Sequence, residues 1–121
     1  MQSACETFLS LYEYNRHPEF IKTMQLAAKN DDVELLKSLR PDEIDLYWVF
    51  YYLTHSFLKD KDCPSKIAKY CAQNGISNHA MIYYLVENDK YETLKSIMSE
   101  FNEFKLIKKI AKKLNKNLPN T

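Results

Sequence analysis

The sequence predicts an all-α fold of about eight helices, and three observations carry that prediction. Gly occurs once in 121 residues, at Gly75, against a usual share of about 7%. Tight turns with positive φ lean on Gly and Asn, so a hairpin-rich β fold would lack its turns. Val occurs only at Val33, Val49 and Val86, too few for the Val- and Ile-rich runs of a buried parallel sheet. Apolar residues instead recur at three- and four-residue spacing between short polar breaks, the pattern of helices with one buried face.

The elements follow in order. Ser3 and Glu6 form an S/T-x-x-E pattern, a capping-box signature, and Phe8, Leu9, Leu11 and Tyr12 give the segment to Asn15 a broad apolar face. Pro18 suits the first turn of the next helix, where its missing N–H is not needed, and Phe20, Ile21, Met24, Ala27 and Ala28 supply the stripe. Asn30-Asp31-Asp32 ends that helix and caps a third, with Val33, Leu35, Leu36 and Leu39. Pro41 marks a break, since the residue before a proline avoids helical geometry.

The stretch Ile44 to Leu58 (IDLYWVFYYLTHSFL) is then expected as the central helix. Every residue from Leu46 to Leu53 is apolar or aromatic, and a helix apolar all round is buried on most sides. Asp42, Glu43 and Asp45 put negative charge at the positive end of its dipole. Lys59 to Asp62 reads as a solvated turn. Pro64 opens a helix carrying Ile67, Ala68, Tyr70 and Cys71, and Gly75 lies just past its end, where a left-handed residue commonly closes a helix. Ser77 or Asn78 caps a helix with Met81, Ile82, Leu85 and Val86. Asn88-Asp89 turns the chain, Tyr91, Leu94, Ile97 and Met98 form a seventh stripe, and Glu103 to Asn115 is an amphipathic last helix. The expected organisation is one all-α helical-repeat domain over residues 1–116 and a frayed tail at 117–121.

An internal repeat supports that organisation. Asn30 to Leu39 (NDDVELLKSL) aligns with Asn88 to Ile97 (NDKYETLKSI) at an offset of 58 residues, with six of ten positions identical. Half of 58 is 29, within the range of helical repeat units. The central helix and the segment Pro64 to Cys71 would form a middle unit, so that three helical hairpins stack side by side with capping helices at each end. LAAKNDDVELLKSL, from Leu26 to Leu39, resembles the paired helices of an ankyrin repeat, and YLVENDKYETLKSI, from Tyr84 to Ile97, is similar. Tetratricopeptide-like and clathrin-like helical arrays resemble it nearly as well. What these resemblances imply is a scaffold that binds other proteins, with no active site.

Chemistry-bearing motifs are sparse. One Gly permits neither a phosphate-cradling loop nor a dinucleotide turn, and no nucleophile elbow is present. His55, Cys63, Cys71 and His79 fall at a constant spacing of eight. On one helix, eight residues span about 12 Å, whereas zinc gathers its ligands about 2.0–2.3 Å from one point. We therefore expect no catalytic residue, no metal and no cofactor. Three cysteines at irregular spacing fit reduced thiols, no apolar run reaches membrane-span length, and the N-terminus lacks a signal-peptide pattern. A cytoplasmic protein is expected, or one of the host cytoplasm if its source is a virus or intracellular parasite, which the Lys-, Asn-, Ile- and Tyr-rich composition would suit.

Two surfaces could bind a partner. Leu46, Phe50, Leu53 and Phe57 should be core, but the remaining aromatics of the central helix cannot share that face. Trp48, Tyr51 and Tyr52, with Tyr83 and Tyr84, either complete other contacts within the core or anchor a protein partner in an aromatic groove. The second surface is the last helix. Up to Phe104 the chain has 11 basic and 16 acidic residues, or −5, and from Lys105 it has six Lys and no acid, or +6. Leu106, Ile107, Ile110, Ala111 and Leu114 form one stripe, and Lys105, Lys108, Lys109, Lys112, Lys113 and Lys116 form the rest. Such a helix either caps the core or binds nucleic acid or an anionic membrane by charge. The reading favoured from sequence is a non-enzymatic protein–protein interaction module with an aromatic groove, capable of self-association; the alternative is the electrostatic binder.

Overall fold

The computed structural model describes residues 4–74, 78–98 and 104–117. Among them the chain forms eight α-helices and no strand: α1 (Ala4–Tyr14), α2 (Pro18–Asn30), α3 (Val33–Ser38), α4 (Glu43–Thr54), α5 (Lys66–Gln73), α6 (Asn78–Glu87), α7 (Tyr91–Ile97) and α8 (Phe104–Lys113). Ser3 of the expected capping box, Gly75, Ser77 and Pro119 lie outside the described residues.

The caps explain most boundaries. His17 precedes Pro18 and its Nδ1 accepts the Glu19 N–H at 3.1 Å. Asp32 caps α3 by accepting the Leu35 N–H at 3.1 Å. Asp42 and Asp45 form a reciprocal box at the start of α4: each side chain accepts the other's backbone N–H, at 2.8 and 3.0 Å. Two boundaries depart from the sequence reading. Helix α4 stops at Thr54, four residues before Leu58, because three consecutive polar side chains take carbonyls of its last turn. Thr54 Oγ1 donates to the Tyr51 carbonyl, Ser56 Oγ to that of Tyr52, and His55 Nδ1 lies 2.9 Å from the Tyr51 carbonyl. Such bonds compete with the helical ladder, and the Leu58 N–H folds back to the Leu53 carbonyl at 2.9 Å. Helix α5 begins after Pro64, since Ser65 is its N-cap and accepts the Ala68 N–H at 3.1 Å.

The 58-residue repeat corresponds to hydrogen bonds made twice. Asn30 and Asn88 each donate their side-chain amide to the carbonyl four residues back, of Leu26 and Tyr84. Asp31 and Asp89 each take a left-handed conformation, with φ of 50° and 57°. The next N–H then closes the helix onto a carbonyl five residues back, Asp32 to Ala27 and Lys90 to Leu85. Asp tolerates this conformation better than most side chains. Ser38 and Ser96 each donate to a carbonyl three residues back, and Leu36 and Leu94 are buried at the matched position. Helix α8 ends the same way, with Asn115 at φ 54° and the Lys116 N–H on the Ala111 carbonyl.

Packing follows a regular order. Helix α2 packs against α3 and α4, α4 against α5, α3 against α5, α5 against α7, and α6 against α7 and α8. Phe50 of α4 meets Tyr84 of α6 edge-on at 6.1 Å, and the Tyr84 hydroxyl donates to the Thr54 carbonyl at 3.4 Å. The core is filled by Met24, Ala27, Ala28, Leu36, Trp48, Val49, Leu53, Ile67, Ala68, Cys71, Ile82, Leu85, Val86 and Ile97. Each buried large aliphatic side chain contributes about 1.5–3 kcal/mol relative to exposure.

Two turns also reach forward along the chain. Asp31, between α2 and α3, accepts from Ser65 Oγ (2.8 Å), the Lys66 N–H (2.9 Å) and the Ile67 N–H (3.1 Å) at the start of α5. Asp62 does the same for α7, accepting the Glu92 and Thr93 N–H groups at 2.8 Å and Thr93 Oγ1 at 2.9 Å. The segment read as a solvated turn therefore holds a structural cap, and Asp62 is half-buried.

Candidate functional site

Helix geometry sorts the aromatic residues of α4. With about 100° per residue, Leu46, Val49 and Leu53 lie together and are buried. Ile44, Tyr47, Tyr51 and His55 share the opposite side. Ile44 is 50% exposed, Tyr47 and Tyr51 are half-buried, and His55 is exposed. The Tyr51 and His55 rings stack with centroids 4.1 Å apart. On α6, Met81, Ile82, Leu85 and Val86 are buried, while exposed His79 and half-buried Tyr83, one turn apart, hold their rings near parallel at 6.4 Å.

Trp48 does not belong to a partner surface. It is fully buried, stacked on Tyr12 at 5.4 Å and on Tyr52 at 4.5 Å, because its position turns it toward α1 and α2. Its Nε1 finds no acceptor among the described residues. Tyr52 accepts a 2.8 Å hydrogen bond from Gln25 Nε2 on α2, and Tyr84 is tied to α4 as described above, so both serve interhelical contacts first. Of the five residues singled out from sequence, Tyr51 lies on the side of α4 away from the buried stripe, and Tyr83 is half-buried against the core with its ring beside His79. Phe57, expected in the core, is half-buried under Lys61, whose Nζ sits 3.8 Å from the ring centre.

Sequence reasoning missed a buried polar cluster at the α1–α4 junction. Asp45 is 5% exposed. It accepts from the Tyr12 hydroxyl and from Arg16 Nε at 3.1 Å, besides the Asp42 N–H. Burial alone would raise the Asp45 carboxyl, but the hydrogen bonds from Tyr12, Asp42 and Arg16 outweigh it and hold it below the ordinary carboxylate range. Burial and the neighbouring carboxylate push the Tyr12 phenol far above its usual value. Arg16 also lies 4.7 Å over the Tyr12 ring. A tyrosine spaced 33 residues from an aspartate carries no periodic signal. The cluster is a staple holding α1 to the start of α4.

Helix α8 divides cleanly. Ile107, Ile110 and Ala111 are each 3% exposed and face α6, while Lys105, Lys108, Lys109, Lys112 and Lys113 are exposed. The stripe is thus a cap on the core, the structural half of the sequence alternatives. Lys116 departs from the other lysines: it pairs with Asp89 at 3.0 Å, which lowers the Asp89 carboxyl and raises the Lys116 ammonium.

Among the described residues no three His, Cys, Asp or Glu side chains gather as metal ligands, and no helix is long and apolar enough to cross a membrane. Of the eight-spaced set, Cys71 is buried, donates to the Leu46 carbonyl at 3.7 Å and has its thiol pushed up by burial. Comparison with protein-family models, curated proteins and solved structures finds no match to this chain.

Proposed function

We infer that this chain is a non-enzymatic protein–protein interaction module built as stacked helical hairpins. In this reading α2/α3, α4/α5 and α6/α7 are the hairpins, α8 is the closing cap, and α2, α4, α6 and α8 form the layer that meets a partner. Support for the stack comes from the helix contacts within each hairpin and between neighbours, α2 with α4, α3 with α5, α5 with α7 and α6 with α8, and from the caps repeated at Asp31 and Asp89. Repeat arrays of this type, the ankyrin-like ones among them, bury their core between neighbours and present one continuous face.

The observation that carries the binding face is the pair of ring contacts that join a half-buried tyrosine to an exposed histidine, Tyr51 on His55 and Tyr83 with His79, on helices joined by the Phe50–Tyr84 and Tyr84–Thr54 contacts. Tyrosine combines large apolar area with a polar tip and is enriched among residues that dominate binding energy. Ile44 adds exposed apolar surface on the same side of α4. The partner is a protein segment that brings apolar or aromatic side chains into the strip between α4 and α6.

The test is a pair of substitutions, Tyr51→Ala and Tyr83→Ala, made together. A partner captured by the native chain from its own host should bind at least tenfold more weakly, with an unchanged urea midpoint. Capture at full strength by the doubly substituted chain would refute this placement of the site.

A further inference from the structure

Helix α8 carries a second surface with a different chemistry. At about 100° per residue, Lys105, Lys108, Lys109, Lys112 and Lys113 fall in an arc of about 140° centred opposite the buried Ile107–Ile110–Ala111 stripe. All five are exposed, and none is within ion-pair distance of a carboxylate among the described residues. The row covers about 12 Å of helix axis at 1.5 Å per residue. One edge borders an open depression of about 570 Å³ lined by Lys108, Lys112, Lys116, Asn115, Asn117 and Ala111.

From these features we propose that α8 binds the phosphodiester backbone of nucleic acid, without reading its sequence. Three observations select this occupant. A bilayer-adsorbed helix buries its apolar side in the lipid, and that side of α8 is already spent on α6. A protein interface concentrates aromatic and aliphatic residues at its centre, where lysine is depleted, and the exposed arc consists of lysines with no apolar member. A uniform row of point charges on one helix instead suits a linear polymer with one negative charge per residue. Lysine ammonium groups neutralise phosphates and supply no base code, and Asn115 and Asn117 add amides of the kind that contact phosphate and sugar oxygens. Lys116 is held by Asp89 and stays outside the binding row. The acidic remainder of the chain, −5 up to Phe104, confines the contact to this end.

The probes are a fluorescein-labelled 20-nucleotide single strand and a random-sequence 20-base-pair duplex, titrated with the full chain at several salt concentrations. Neutralising about four phosphates gives a log–log salt slope near −3.5 for duplex, so affinity should fall about 100-fold between 50 and 200 mM salt. Replacing Lys108, Lys109, Lys112 and Lys113 together with Gln should abolish binding at 50 mM, with helicity and urea midpoint retained. Lys116→Gln should leave the slope unchanged. No binding at 50 mM salt, a flat salt dependence, or equal binding by the fourfold variant would each overturn the proposal. So would vesicles containing phosphatidylserine being bound in place of both probes. Light scattering provides the last arm: lysine-dependent self-association at low salt without nucleic-acid binding would reassign the row to a second copy of the chain.

Discussion

Replacing Asp31 with alanine should destabilise the protein by about 2 kcal/mol, although the residue sits in a surface turn. Two effects meet at this position. The carboxylate accepts three hydrogen bonds at the start of α5. The exposed Lys66 N–H can turn to water, but the Ile67 N–H and the Ser65 hydroxyl are partly buried, so the loss is about 2 kcal/mol on the scale of helix caps and charged hydrogen bonds. The backbone stands at φ 50°, where any Cβ, of aspartate or alanine alike, costs about 1–2 kcal/mol. Asp31→Gly separates them, since glycine loses the cap and relieves the backbone, for a net cost of about 1 kcal/mol. Asp89 provides the control: its φ is 57° but it is exposed and its bonds to Lys116 and Tyr91 are at the surface, so Asp89→Gly should leave the urea midpoint unchanged or raise it. Urea titrations followed by helix circular dichroism would measure all three. Equal loss in Asp31→Ala and Asp31→Gly, or less than about 0.5 kcal/mol in the former, would refute the reasoning.

Other outcomes follow from the core and the staple. Asp45 has a depressed carboxyl in the folded protein, so its contribution is full above the unfolded value of about 3.9 and fades as pH falls through the folded one. Tyr12 is raised, so its contribution is full below about pH 10 and is lost at higher pH. Urea midpoints measured across pH should fall at both extremes, with the acid limb flattened in Asp45→Asn and the alkaline limb in Tyr12→Phe; unchanged limbs would remove the staple from the account. Trp48→Ala should cost about 3–5 kcal/mol, and Trp48→Phe markedly less, because it also removes a buried N–H without an acceptor. A calorimetric scan in which Tyr51→Ala loses as much as Trp48→Ala would contradict the sorting of α4. Cys71 should react with an aromatic disulfide reagent only when the protein unfolds globally, whereas half-buried Cys63 reacts sooner; a Cys71 labelling rate independent of urea would count against its burial.

What the sequence disclosed was what local chemistry controls. The helices announce themselves through apolar spacing, and Asn30-Asp31 and Asn88-Asp89 through a motif that makes the same bonds in both places. The end of α4 was illegible because Thr54, His55 and Ser56 redirect carbonyls within an otherwise apolar run. The roles of Asp31, Asp45 and Asp62 were hidden for another reason: their partners lie about 30 residues away, and only packing brings them together. Trp48 misled because a helix apolar on all sides gives no phase from which to tell an inward ring from an outward one, whereas the amphipathic α8 shows its buried side from composition alone.

The forward-reaching aspartates give the chain an order of construction. Asp31 is made before the residues of α5 that it holds, and Asp62 before those of α7. During synthesis each later helix start therefore meets an acceptor already in place. Trimming from the C-terminus leaves the remaining caps intact, whereas trimming from the N-terminus strips α5 and then α7 of theirs. The molecule thus has a grain, set by three hydrogen bonds at each of two turns, and N-terminal fragments should hold their shape better than C-terminal fragments of equal length.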